Sequence, residues 1–120
     1  MTALKEWTPL AKPGNASAQY NLGVMYEYGT GVPQYYAEAV KSYRFAAERG
    51  NAPAQYNLGV MYSGTGILQD NVVAHMWYNL ASANGEADAG RRRDNIAATM
   101  TPADISEAQR RARVCMASNY

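Results

Sequence analysis

The chain has 120 residues, 48% of them hydrophobic and 18% charged, which is the length of one domain and the composition of a folded core rather than of a disordered chain. Eleven basic residues against ten acidic ones leave a formal charge of +1, so no global field draws the molecule to nucleic acid or to a membrane surface. A single cysteine excludes an internal disulfide, and no apolar run approaches the ~20 residues of a membrane span.

The organising feature is an internal repeat. Residues 15–26, Asn-Ala-Ser-Ala-Gln-Tyr-Asn-Leu-Gly-Val-Met-Tyr, recur at 51–62 with Pro53 in place of Ser17 as the one change. Self-similarity at a period of 36 residues indicates a stacked repeat architecture. The rest of the unit recurs more loosely. Gly29-Thr30-Gly31-Val32 returns as Gly64-Thr65-Gly66-Ile67, and Ala39, Tyr43, Ala46 and Gly50 return as Ala74, Tyr78, Ala81 and Gly85. The second unit has lost one loop residue, opposite Tyr28. A half unit precedes the first, with Ala3, Trp7, Leu10 and Gly14 on the spacing of Ala39, Tyr43, Ala46 and Gly50; a third start follows at Gly85-Glu86-Ala87-Asp88-Ala89.

In chain order, seven helices are predicted, over about 2–12, 16–28, 34–49, 52–62, 70–84, 87–99 and 102–117. Ala18, Leu22, Met25 and Tyr26 place one apolar stripe on the first helix of a unit, and Ala39, Tyr43, Ala46 and Ala47 place one on the second, both at the helical period. Gly23 and Gly59 fall in mid-helix, where glycine costs ~1 kcal/mol relative to alanine; close approach of a neighbouring helix is the expected compensation. Gly50 and Gly85 are placed to end helices in the left-handed conformation. In the last helix Thr101-Pro102-Ala103-Asp104 supplies an N-cap, a first-turn proline and a first-turn acid. Ile105, Ala108, Ala112, Cys115 and Met116 form its apolar face, and Glu107 can pair with Arg110 or Arg111 one turn on. A helix with one sealed face and one polar face is a fitting end for an array.

The pattern Ala-x-x-x-Leu-Gly-x-x-Tyr, then Gly-x-Gly-Val, then Ala-x-x-x-Tyr-x-x-Ala-Ala-x-x-Gly resembles the Sel-one-like repeat family, which is similar to the tetratricopeptide repeats with a longer inter-helix loop. The resemblance runs from residue 3 to about 117, and the stretch 100–110 looks like the capping helix of many bacterial members. It implies an all-α fold: a right-handed α-α superhelix, a short solenoid of antiparallel helix pairs in one domain over residues 1–120. Within it the half repeat is 3–14, the repeats are 15–50 and 51–85, and the closing unit is 86–120. It implies an adaptor that holds a protein or peptide partner on its concave side. Carried over by position, that side presents Tyr20, Val24 and Glu27, then Tyr56, Val60 and Ser63, then Arg91 and Asn95. Related repeats grip a C-terminal carboxylate with lysine and asparagine there, where this chain has tyrosine and valine. The family often has aspartate before the second helix; Asp70 fits and Tyr35 does not. The start Met1–Trp7 lacks a signal-peptide pattern, and the bacterial cytoplasm or periplasm is the expected compartment.

Chemical alternatives carry less weight. The two Gly-Thr-Gly loops lack the lysine and the preceding strand of a phosphate loop and read as turn glycines. His75, the one histidine, has no partner base in view and reads as a solvent or groove-edge residue. One cysteine and one histidine fall short of a structural zinc site, so neither a metal nor another cofactor is expected. Cys115, on the apolar stripe, reads as a buried thiol, with Arg111 one turn away as the only cue to reactivity. Arg91-Arg92-Arg93 reads as a salt-paired face rather than a nucleic-acid patch. Arg93 aligns with the core position Leu58, so its stem is expected over apolar surface with its head on an acid or a helix end. Tyrosine supplies ten of the thirteen aromatic residues. Tyr26, Tyr43, Tyr62 and Tyr78 are assigned to the core; Tyr20 and Tyr56 either form an aromatic ladder along the groove or pack between adjacent repeats, and Tyr28, Tyr35 and Tyr36 gather near the first loop. Two further functions stand beside the adaptor. One is self-association as a homodimer through the open half repeat, and the other is a small hydrolase, for which no nucleophile–base pair speaks.

Overall fold

The computed structural model describes residues 15–31, 34–63 and 68–119, with side chains to Cys115. The predicted first helix, the half repeat with its dimer surface, and the second Gly-Thr-Gly loop lie outside these residues, as does the Met116 side chain. Six helices are described: α1 (Ala16–Tyr28), α2 (Tyr36–Ala47), α3 (Ala52–Tyr62), α4 (Asn71–Ala83), α5 (Ala89–Ala97) and α6 (Pro102–Asn119). No strand occurs among the described residues.

The repeated residues repeat their local physics. Asn15 Oδ1 accepts the Ala18 N–H at 2.9 Å, and Asn51 Oδ1 accepts the Ala54 N–H at the same distance. Each satisfies one of the free donors at a helix start. Asp70 does the same for Val73 at 3.2 Å, whereas Tyr35, its counterpart, makes no side-chain cap. α2 begins at Tyr36 rather than at the expected residue 34, after an extended Tyr35, just as α4 begins at Asn71 after an extended Asp70. Thr101 Oγ1 accepts the Asp104 N–H at 3.1 Å and starts α6 as expected. Gly50 and Gly85 have φ of 86° and 101°, the left-handed ends anticipated for them. The loop between α1 and α2 closes with the Tyr35 N–H on Tyr26 O at 2.9 Å, and its counterpart closes with the Asp70 N–H on Tyr62 O at 2.7 Å.

Helices pack chiefly on their chain neighbours, α1 on α2, α2 on α3, α3 on α4 and α4 on α5, while α6 lies on α4. The main core joins Ala39, Tyr43, Ala46 and Ala47 of α2 to Ala54, Leu58 and Met61 of α3, Trp77 and Leu80 of α4 and Ala112 of α6. A smaller core gathers Tyr78, Ala81 and Ala89. The mid-helix glycines lie under the second-helix tyrosines. A Cβ on Gly23 would meet the Tyr43 ring at 2.7 Å, and one on Gly59 would meet the Tyr78 ring at 2.5 Å. Between the units, Gln55 is fully buried. Its Nε2 donates to Ala47 O at 2.9 Å and its Oε1 accepts from Asn84 Nδ2 at 3.1 Å, so one amide fastens α3 to the ends of α2 and α4.

Three residues sit differently from expectation. His75 is 3% exposed, not at a surface or groove edge, because α5 packs over α4 there and brings Arg93 and Asp94 against it. Tyr26 and Tyr62 are half-buried at the margin of the core rather than inside it. The third unit's first helix is also short, Ala89–Ala97 rather than 87–99, since Ala87 and Asp88 remain in a turn. On α6, Ala108 and Ala112 are buried and Ile105 and Cys115 half-buried, with Cys115 against the main core.

Candidate functional site

The face expected to bind is formed by the first helix of each unit: α1, α3 and α5. Tyr20 and Val24 on α1 are half-buried and pack against the main core. Tyr56 and Val60 on α3 do the same against the smaller one. The two tyrosines do not stand out as a free ladder. Each leans on the second-helix tyrosine of its own unit, with ring centroids 5.8 Å apart in both Tyr20–Tyr43 and Tyr56–Tyr78, within the range in which aromatic pairs attract. Glu27 and Ser63 close α1 and α3 at equivalent, half-exposed positions, and Arg91 and Asn95 are exposed on α5.

Those residues divide into two differently charged ends. On α1, the Tyr43 hydroxyl donates to Glu27 Oε1 at 2.5 Å. Burial first, then the bond to Glu27, raises the Tyr43 hydroxyl far above the usual phenol range, so it serves as a permanent donor. Tyr28 stands beside them, 68% exposed. Its hydroxyl is also raised, first by the Glu27 charge, then by burial, Tyr20 and Tyr36, which places four side chains in one corner. Gln34 Nε2 reaches both Glu27 O and the Tyr36 hydroxyl at 2.9 Å and pins the loop there.

At the other end Asp88 is the hub. It accepts from the Tyr56 hydroxyl at 2.9 Å, from Arg92 Nε at 2.8 Å and from Arg91. Hydrogen bonds from Arg92, Arg91 and Tyr56, in that order, hold its carboxyl at about 2. The Arg92 guanidinium also stands 5.3 Å from the Tyr56 ring centroid; burial raises the Tyr78 hydroxyl above the usual phenol range, and the Arg92 charge opposes this. A cavity of about 150 Å³ opens between Ser63, Tyr78, Arg92, Asn95 and Ile96. The structure thus brings Ser63 and Asn95 together as expected from their repeat positions. Asp88, Arg92 and Tyr78 complete the same place and were not singled out for it. The spacing Asp88–Arg91–Arg92, one helical turn apart, was the signal for the ion pairs; nothing in the sequence pointed to Tyr56, 32 residues away.

The remaining polar features are structural. Arg93 Nη1 donates to Asn79 Oδ1 at 2.8 Å and its Nε to Asp94 at 3.1 Å, so its head reaches an acid as anticipated. Glu107 takes both Arg110 and Arg111. Among the described residues no group of His, Cys, Asp or Glu is arranged to hold a metal ion, and no helix is long and apolar enough to cross a membrane.

A known family matches this geometry. The family described as Sel1 repeat matches residues 16–51 and 52–86. Among solved structures, the chain superimposes with a TM-score of 0.88 and 28% identity on c5321, described as a protective antigen present in uropathogenic Escherichia coli strains displaying an SLR fold. The alignment covers 97% of this chain and 25% of that one, so the chain spans a quarter of its neighbour's length. No curated protein matches.

Proposed function

From a chain that belongs to the Sel1 repeat family, whose repeats are in general protein-interaction modules, we propose an adaptor that binds a protein or peptide segment across α1, α3 and α5. The observation that carries this reading is the pre-built cavity between α3 and α5. Of its lining side chains, Arg92 is already held by Asp88, Ser63 by its bond to Val60 O, and Tyr78 by burial. Groups fixed before a ligand arrives lose little freedom on binding, which is how a rigid groove gains affinity without large area. Tyr20, Val24, Tyr56 and Val60 supply the half-buried apolar floor, and Glu27, Ser63, Arg91 and Asn95 the polar edge.

A photo-crosslinking side chain at Asn95, with one at the exposed Gln109 of α6 as control, tests this reading. The expected result is one partner captured from position 95, not from 109, and lost when Arg92→Gln is added. Capture equal at both positions, or indifferent to Arg92→Gln, would remove the groove from the account.

A further inference from the structure

The first helices of the two repeats are nearly identical in sequence, yet the side chains around the tyrosine that packs on each differ in charge. Tyr43 and Tyr78 occupy equivalent positions, each over a glycine of its own unit. The Tyr43 hydroxyl meets the carboxylate of Glu27. Tyr78 instead shares a cavity with Ser63, the counterpart of Glu27, and with Arg92. No lysine or arginine among the described residues forms an ion pair with Glu27. Tyr28, its chain neighbour, is exposed, and Gln34 ties the exposed Tyr36 hydroxyl to the Glu27 backbone. At the other end Arg91 and Arg92 share the single carboxylate of Asp88, which leaves one positive charge over, next to a cavity edged by the Asn95 amide.

Resting on the adaptor reading, we propose that this face takes an extended segment of a partner protein in one direction only. A lysine or arginine of the segment sits on Glu27 against Tyr28 and Tyr36, and an aspartate or glutamate of the same segment enters the Arg92–Asn95 cavity. Both ends match in chemistry as well as sign. Tyrosine faces attract a cation and more strongly when a carboxylate backs them, and a guanidinium with an amide donor suits a carboxylate. One to two helix-to-helix steps of ~8–10 Å separate the ends, so the two charges of an extended segment should lie roughly three to six residues apart at ~3.4 Å each. A segment lying the other way would put like charges together at both ends, which disfavours the wrong orientation.

The probe is a library of random twelve-residue peptides displayed on phage, selected on the full chain at low salt. Clones retained for analysis are those that crosslink to a photo-reactive side chain at position 95. The expected clones carry a basic and an acidic residue three to six positions apart, always in the same order. They should lose at least tenfold in affinity for Glu27→Lys, and selection on that variant should yield an acid in place of the base. Glu27→Gln, which keeps an acceptor for Tyr43, should lose several-fold with an unchanged melting temperature, separating charge from folding. Crosslinked clones with no charge order, or with affinity indifferent to Glu27→Lys, overturn the directional proposal and leave the groove in place. A library that yields no clone crosslinked at position 95 overturns both.

Discussion

The ring of Tyr78 lies so close over Gly59 that a Cβ there would stand 2.5 Å from two ring carbons. Alanine would recover about 1 kcal/mol of helix propensity, but the buried Tyr78 ring would have to shift, and overpacking of this kind costs typically about 1–3 kcal/mol. Gly59→Ala is expected to lower stability by a net ~1 kcal/mol in a urea melt. Tyr78→Leu in the same chain should abolish that loss, a coupling that a double-mutant cycle reads directly.

Tyr35 occupies the start of α2 without capping it, and it is 55% exposed. At the equivalent place Asp70 caps α4. Tyr35→Asp should raise stability by about 0.5–1 kcal/mol, with Glu38 already placed three residues on. A thermal melt showing clear destabilisation would mean that the tyrosine itself packs or binds.

Gln55 holds two units together with both ends of its amide. Gln55→Leu keeps most of the volume but removes both bonds. The Ala47 carbonyl keeps its bond from the Gly50 N–H and the exposed Asn84 amide turns to water, so the expected loss is the net worth of the bonds, about 1 kcal/mol each. The loss is expected in equilibrium unfolding, and Gln55→Glu should show a loss that grows with pH as the buried acid ionises.

His75 is buried, and its Nδ1 has no hydrogen-bond partner. Burial first, then the charge of Arg93, lowers its pKa below the ordinary histidine value, with Asp94 opposing. Below that ordinary value the unfolded chain binds a proton that the folded chain refuses. Stability should therefore fall as pH drops through the ordinary value and level off once the folded histidine also protonates. Unfolding free energies from pH 7.5 to 5 should slope for the native chain and lie flatter for His75→Leu.

Asp88 titrates at about 2 because three donors hold its charged form. Its contribution is present above the usual aspartate range and disappears as pH falls toward that value. Carbon-detected titration should find it ionised at pH 3, and Arg92→Gln, which removes the largest of the three effects, should return it upward.

The fold was legible because its determinants are local and occur twice. Asn15 and Asn51, Gly23 and Gly59, Gly50 and Gly85 each announce a cap, a close approach or a helix end from their own spacing. Where the third unit departs from the repeat, the sequence says less. Arg93 in the Leu58 position gave away its own side chain, but not that α5 would bury His75. Tyr26 and Tyr62 lie on the apolar stripe and yet at the rim, since a stripe defines a face and not how far the neighbouring helix covers it. Of the candidate site, the positions on α1, α3 and α5 follow from repeat alignment. The hub at Asp88 does not, because its bond to Tyr56 depends on how two units are set against each other.

Gln55 lies inside the stretch that occurs twice, with Arg49 as the counterpart of its donor Asn84, and Gly14-Asn15 reads the same as Gly50-Asn51. A gene that slips by one 36-residue period during copying would rejoin these sites in a native junction, with the next glutamine already placed to clasp the helix before it. The array can therefore lengthen or shorten by whole helix pairs upstream without evolving a new interface. Downstream it cannot: Gly90 and Arg93 stand where Gln55 and Leu58 would be needed, so the charged third unit and α6 stay together behind whatever number of pairs precedes them.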